Sequence, residues 1–333
     1  MKIYTLSAQP GRSVHCKTLC RNNEAAILCL SSRLSGGWQI FDLRDMELLT
    51  ALQRHRHFAH AAEECGISQP AFSARISNLE RHFGIAIVNR GNRFQGFTAE
   101  GEIALKWAHR LLQDADGLRQ EMTAARGNLS GRLVIGVIPT ALTFAARVPA
   151  MIREKHPELL IDIRSATSDE IRRDLGNYRI GAGISYIDAS IEKALRVDVL
   201  YEEDYRLIMA EGMSDATGSI SWRDAARLPL CLLSRTMQNR RIIEAVFSEI
   251  GVKPNTVMET NSLTAALVQL EGGNAATIIP GQMVDRLPIS RSLKVLRLTD
   301  PDITRTVGLL MPERDPEPPA NRVLADALLE LAR

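Results

Sequence analysis

The chain has 333 residues, of which 45% are hydrophobic and 24% charged, a composition ordinary for a globular protein and a length sufficient for two or three domains with cores. No apolar run approaches the roughly 20 residues that a membrane-spanning helix needs. The opening MKIYTLSAQPGRSVHC has no continuous apolar stretch, so a secretory signal is not expected either.

Residues 1–40 carry Cys16, Cys20, Cys29 and Gly36-Gly37 among scattered polar residues, and no periodicity persists. They are expected to form a mostly disordered extension rather than a domain. With Cys65 and Cys231 the cysteines number five, which gives no even disulfide framework. Reduced thiols in a cytoplasm fit best. Residues 41–101 form the next unit. Asp42 is placed to cap a first helix in which Leu43, Met46, Leu49 and Leu52 recur every three residues. A short alanine-rich helix is expected over 58–64, stopped at Gly66, because glycine enters the left-handed region without steric cost. A third helix is expected over 69–82, with Ser68 as its cap and Pro70 in the first turn. Phe72, Ile76, Leu79 and Phe83 share its inner face. Gln69, Ser73, Arg75 and Asn78 are left facing outward. An arginine-bearing loop follows with Arg90 and Arg93 around Gly91-Asn92, and Thr98 opens another helix. This order is that of a winged helix-turn-helix, which places one helix in a DNA major groove. The net charge of the whole chain is only +2, but residues 67–94 set four arginines against Glu80, a local balance of +3. The positive field is therefore concentrated on the third helix and the loop.

Over 102–126, Ala104, Ala108, Leu111, Ala115, Leu118, Met122 and Ala125 alternate at spacings of four and three. Such a seam predicts a linker helix that self-associates. Residues 127–131 (Gly127-Asn128-Leu129-Ser130-Gly131) read as a hinge. Beyond it, short apolar strands alternate with helices, an α/β pattern with mostly parallel sheets. Strands are expected near 132–139, 159–167, 179–186, 228–234, 256–260 and 275–280. Helices are expected near 141–155, 169–175, 237–250 and 262–271, and a last one follows the proline-rich stretch 312–319. The length of 132–333 calls for two subdomains, I (about 132–200 and 306–333) and II (about 201–305), joined by crossing strands near 200–210 and 305–311.

The run Ser68-Gln69-Pro70-Ala71-Phe72-Ser73, with Leu79-Glu80, Phe83-Gly84, the wing arginines Arg90 and Arg93, and Thr98 with Gly101, resembles the LysR-type transcriptional regulators over about 41–333. The resemblance implies a periplasmic-binding-protein-like effector domain of two subdomains, assembly as dimers or tetramers on dyad-symmetric DNA, control of a neighbouring gene, and encounter with RNA polymerase. The chain departs from the family pattern at Arg75, where Gln is common, at Arg56-His57, where Gly-Ser is common, and at Glu100, where Ala is common. These departures bear on base preference rather than on fold.

The expected DNA-binding residues are Ser68, Gln69, Pro70, Ser73, Arg75, Arg90 and Arg93. Gln69 suits a bidentate contact to adenine, Arg75 suits guanine or a phosphate, and Arg90 and Arg93 suit phosphates or the minor groove. The expected effector-binding residues lie at strand ends between the subdomains: Thr140, Thr167, Ser168, Ser185, Ser234, Asn261 and Ser262. Hydroxyls and open helix N-termini there suit a small, anionic molecule. His55, His57, His60 and Cys65 could suggest zinc, but the helix-turn-helix needs no metal and the neighbouring arginines oppose one. No P-loop, nucleophile elbow or metal-ligand pair is present, so no catalytic residue, cofactor or metal is expected. The competing readings are a transport-type solute-binding protein, suggested by 131–311 alone, and a small-molecule enzyme on an α/β fold.

Overall fold

The computed structural model describes residues 41–91, 94–189, 191, 194–286 and 292–333; the side chain of Arg90 is not among them. The predicted extension over 1–40 and the wing residue Arg93 lie outside the described residues. The chain divides into two compact units, with the boundary between Gly101 and Glu102.

The first unit is built on three helices: α1 (Leu43–His55), α2 (Phe58–Glu64) and α3 (Gln69–Phe83). Asp42 and Asp45 form a reciprocal capping box at the start of α1, which satisfies backbone donors that a helix start otherwise leaves open. Gly66 (φ 65°) turns the chain between α2 and α3, and Gly84 (φ 69°) ends α3. Phe72, Ile76 and Leu79 are buried as their spacing requires, whereas Phe83 is 43% exposed. Phe83 is the last residue of α3, where the left-handed turn at Gly84 carries the chain off the helical path, and its ring packs on Phe41 at 5.6 Å instead of on the core.

The wing is the antiparallel pair β1 (Val88–Arg90) and β2 (Phe94–Phe97). One carboxylate oxygen of Glu80 accepts the N–H groups of Ile87 (3.0 Å) and Val88 (3.2 Å), tying α3 to the start of the wing. Phe58 packs edge-on against both Phe72 and Phe94, at 6.0 and 6.1 Å. Thr98 accepts the Gly101 N–H (2.9 Å) and donates to the Ala86 carbonyl (2.7 Å). Gly101 fills a position where a Cβ would sit 2.0 Å from the Ile87 carbonyl oxygen.

Helix α4 (Ala99–Ala124) runs out of this unit and forms the start of the second. The rest of the second unit contains two mixed sheets. The first has the order β4-β3-β5-β13-β6, from β3 (Gly131–Val137), β4 (Leu159–Ser165), β5 (Ala182–Tyr186), β6 (Leu195–Glu203) and β13 (Arg305–Pro312). The second has the order β10-β9-β11-β7-β12-β8, from β7 (Tyr205–Ala210), β8 (Ser219–Ser221), β9 (Leu230–Leu233), β10 (Thr256–Thr260), β11 (Ala276–Pro280) and β12 (Leu293–Thr299). Short helices α5 (Leu142–Ala145) and α6 (Val148–Lys155) follow β3, and α7 (Ser168–Gly176) follows β4. In the second subdomain come α8 (Trp222–Ala225), α9 (Gln238–Glu249), α10 (Leu263–Glu271) and α11 (Gly281–Val284), and α12 (Pro319–Ala332) closes the chain against α6 and β6.

Two expectations need revision. The sheets are mixed rather than mostly parallel, because β13 runs antiparallel to both β5 and β6, and β7 antiparallel to both β11 and β12. A chain that leaves one sheet and returns to it brings in strands of reversed direction. The helix expected over 141–155 is broken into a 3-10 turn, α5 and α6, with Pro149 in the first turn of α6; proline has no N–H to continue a helix from the preceding turn. The chain passes between sheets at Asp204 and returns over 300–304.

Replacing Gly101 with Ala should force the start of α4 and the wing apart. The expected cost is about 1–3 kcal/mol, the usual scale for overpacking a closed site. Urea unfolding of the full chain checks this, and an unchanged transition for the first unit would show that the Ile87 carbonyl yields easily.

Candidate nucleic-acid interface and inter-subdomain cleft

The third helix is held in place from behind. Its buried face is Phe72, Ile76 and Leu79, its start is capped by the Ser68 hydroxyl accepting the Ala71 N–H (3.4 Å), and its end is tied down by Glu80. Ser68, Gln69, Pro70 and Asn78 lie on the outer side, and Ser73 is half-buried. The Gln69 amide donates to the Ser73 hydroxyl at 3.2 Å, so these two expected base-reading groups share one patch one turn apart. Ser68 and Pro70 shape the helix start; Pro70 has no donor, and the Ser68 hydroxyl accepts in its cap and keeps its own O–H as a donor.

Arg75 is placed differently from the outward reader expected. Its Nε donates to Asp45 and its terminal nitrogen to Asp42, each at 2.8 Å, so the guanidinium ties α3 to the cap of α1. Partial burial would raise the Asp42 carboxyl, but the Asp45 N–H and the Arg75 guanidinium outweigh it and hold it below the usual carboxylate range. The α1–α2 turn is basic: Arg56 adopts a left-handed conformation (φ 51°), and His57 precedes α2 without a side-chain cap. His55 lies 2.5 Å from Glu64, which also pairs with Arg54, and the His57 and His60 rings stack at 4.6 Å.

In the second unit, the expected effector residues fall into two groups, one at the strand ends of each sheet. Thr140 follows β3, and Thr167 and Ser168 follow its parallel neighbour β4. Ser234 follows β9, and Asn261 and Ser262 follow its parallel neighbour β10, with the Ser234 N–H donating to the Thr260 carbonyl (2.8 Å). Several of these side chains are already engaged. Thr167 forms a capping box with Glu170, and Ser262 caps α10 through the Ala265 N–H. Ser168 and Ser185 are fully buried, and their hydroxyls have no hydrogen-bond partner among the described residues. Asn261 is exposed.

The residues that span the two subdomains carried no sequence signal of their own. Arg241 on α9 pairs with Asp169 on α7 at 3.1 Å, and Asp169 also pairs with Arg172. Burial alone would raise Asp169, yet the two arginines hold its carboxyl low. Arg286, just after α11, stacks over Phe144 of α5 at 5.4 Å. Asn239, two residues before Arg241, is 3% exposed, and neither end of its amide has a partner among the described residues.

At the crossing itself lies a buried polar chain. The Tyr186 hydroxyl donates to Glu203 at 2.6 Å, and Thr140 lies 3.3 Å from the same hydroxyl. The other Glu203 oxygen has no partner among the described residues. Burial pushes the Glu203 carboxyl up to about 8, with the Tyr186 hydroxyl opposing the rise and Asp204 adding to it. Asp204 is pinned beside it: its carbonyl accepts the Gly281 N–H (3.0 Å) and its carboxylate pairs with Arg206 (2.6 Å). Of the expected effector residues, the structure brings only Thr140 into this chain.

Two protein-family models match the sequence. One, described as bacterial regulatory helix-turn-helix protein, lysR family, covers residues 43–102, and the other, LysR substrate binding domain, covers 126–333. The DNA-binding transcriptional dual regulator OxyR of Escherichia coli K12 is 26% identical over 289 residues, spanning 86% of this chain and 94% of that protein. A full-length OxyR variant from Pseudomonas aeruginosa has a similar fold, with a TM-score of 0.71 at 23% identity over 86% of this chain and 94% of that one. Full-length CbnR in complex with its target DNA superposes with a TM-score of 0.64 at 19% identity, over 87% of this chain and all of CbnR (100%).

The raised Glu203 carboxyl has a consequence for stability. Between the ordinary glutamate value of 4.5 and about 8, the folded chain holds a proton that the unfolded chain has released. Stability from this group is therefore complete at low pH and is lost as pH rises through that window. Melting temperatures measured from pH 5 to pH 8 should fall more steeply for the natural chain than for Glu203→Gln. Parallel curves would show that the carboxyl ionises without cost.

Proposed function

This chain belongs to the LysR family of bacterial transcription regulators, and from that premise we propose how its parts divide the work. It is a DNA-binding transcriptional regulator with an effector-binding domain. In our reading α3 enters the major groove, Gln69 reads an adenine edge and Ser73 supports it. Arg90 and Arg93 contact phosphates or the minor groove from the wing. Arg75 contributes mainly by fixing the pose of α3 against α1, through its bonds to Asp42 and Asp45. The observation that carries this reading is the Gln69–Ser73 patch at the start of a helix whose core contacts are Phe72, Ile76 and Leu79 and whose far end is tied down by Glu80.

The effector in this proposal is a small, anionic molecule held between the subdomains, near Thr140, Ser168, Ser185 and Ser234. Thr167, Asn261 and Ser262 frame the site from the helix starts. Unpartnered buried hydroxyls at Ser168 and Ser185 and the arginines Arg241 and Arg286 at the crossing support that chemistry. Binding would bias the relative position of the subdomains, and so the DNA-bound assembly. Self-association runs through α4, where Ile103, Trp107, Leu118 and Met122 are 54–64% exposed and fall within roughly a 100° arc at 3.6 residues per turn. The predicted seam is thus shifted in its first half: Ala108 is buried within the chain, and Ile103 and Trp107 carry the exposed row. We further assign the protein to the cytoplasm and to a regulatory rather than enzymatic role, with RNA polymerase as a partner. The regulator reading is favoured over a transport-type solute-binding protein by the helix-turn-helix unit in the same chain.

Gel shifts with DNA from upstream of the neighbouring gene, across a salt series, test the reading. Gln69→Ala should lower discrimination at one base pair by roughly 1–3 kcal/mol. Arg90→Ala should weaken all sequences alike and reduce the salt slope by about one. Arg75→Ala should reduce both site preference and the melting temperature of the first unit. No retention of any duplex at low salt would defeat the proposal, as would identical site preference for natural chain and Gln69→Ala.

A further inference from the structure

A cavity of about 210 Å³ lies where α4 meets the first subdomain, away from the crossing strands. Leu112, Gly117 and Gln120 line it from α4, Leu133 and Val134 from β3, and Arg179 and Arg314 from the loops beyond. The helix is well fastened around it. The buried Gln120 accepts the Ala320 N–H at 3.2 Å, Gly117 lies beside Pro318, and Arg322 reaches Glu121 at 3.7 Å. These bonds define the walls and leave the space between them open.

The charged groups in the lining are weighted to one sign. Arg314 is 12% exposed, stacks on the Tyr178 ring at 5.0 Å and is balanced by Asp114 at 3.3 Å and by Gln113. Burial holds its guanidinium below its usual range, with Asp114 opposing. Arg179 reaches Asp174 at 3.4 Å, but its buried Nε has no hydrogen-bond partner among the described residues. Arg132 is 2.5 Å from Asp162, which is shared with Arg164. Asp116 is the acid in the lining, and it is paired with Arg119 at 2.8 Å. A guanidinium carries five donors, so these pairings leave donors unused, and a buried donor left open is costly unless something occupies it. Leu112, Leu133 and Val134 supply apolar lining.

We propose that this cavity is a second ligand site, which takes a small organic carboxylate with its charged end at Arg179 and Arg314 and its apolar body on Leu112, Leu133 and Val134. Carboxylates match the planar fork of a guanidinium, and a concave, mainly apolar pocket with a few placed polar groups is the usual form of a small-molecule site. The volume suits a ligand of about the size of an aromatic monoacid, below the range of roughly 300 Å³ and more typical of sites for drug-sized molecules. Such a ligand touches α4 and the first subdomain at once. Its binding energy therefore favours the state in which the helix is docked, in addition to any effect of a molecule in the inter-subdomain cleft.

The full chain, methyl-labelled at Leu and Val, would be titrated with benzoate, phenylacetate and hexanoate, and with benzamide as the uncharged match. The expected result is saturable shifts at Leu112, Leu133 and Val134 with at least one acid and none with benzamide. Affinity should fall at least tenfold in Arg179→Gln, and Leu112→Trp, on the helix side, should block the site while the chain stays folded by circular dichroism. The proposal is overturned if no acid moves these methyls, if benzamide moves them equally, or if Arg179→Gln leaves the affinity unchanged. Shifts confined to Leu142 and Leu233 would place the acid in the cleft and also overturn it. DNA binding is not part of the readout, so loss of the regulator reading would leave this result standing.

Discussion

A helix that reads a duplex has to be held by groups that the duplex does not need. In the reading proposed for α3, that separation governs the first unit. Phe72, Ile76 and Leu79 anchor α3 from behind, Ser68 caps it, and the Glu80 carboxylate binds two backbone donors at the foot of the wing. Each anchor lies on the inner side or at an end. A bond from Glu80 to two N–H groups is charge-assisted and directional, so it fixes the wing in angle as well as in distance. Gly101 extends the same logic to α4, because only a residue without a Cβ lets the helix start pass so close to the Ile87 carbonyl.

Arg75 shows how this constraint redistributes roles. A guanidinium with bonds to two carboxylates at 2.8 Å would have to exchange both for a base edge before it could read one. Such an exchange gains little, since two charge-assisted bonds are given up for two. The group is more valuable as a strut that fixes the angle between α3 and α1. The α1–α2 turn places Arg54 and Arg56 near α2, outside the local count around α3, with Arg54 and His55 both paired to Glu64.

Much of this was legible in the sequence, and what was not has identifiable causes. Helix starts and stops were readable because Asp42, Ser68 and Gly66 act within one turn. The apolar positions of α3 were readable because period and burial coincide, and Phe83 failed only because the helix ends there. Strand directions were not readable: an apolar run such as 305–312 carries no mark of which neighbour it will join, and its antiparallel pairing follows from the return of the chain between sheets. The effector residues were partly legible for a similar reason. N-cap hydroxyls such as Thr167 and Ser262 are visible as sequence signals, but the capping that makes them visible also occupies them. The groups that meet across the subdomains, Arg241 with Asp169 and Arg286 with Phe144, are far apart in sequence and lie in no motif.

The two chain crossings explain why a small change in the second unit can be felt at a distance. Glu203, Asp204 and Tyr205 turn the chain from one sheet to the other, and β13 returns it. Strand β13 lies between β5 and β6, and two residues after it Arg314 closes on Asp114 and Gln113 of α4. A shift at the crossing that tilts β13 therefore acts on a residue bonded directly to the linker helix. The exposed row of α4 at Ile103, Trp107, Leu118 and Met122 is not used by this fastening, which engages Gln113, Asp114, Gly117 and Gln120. One helix thus offers one face to its own domain and leaves another exposed, and any reorientation imposed on the first face is carried rigidly to the second.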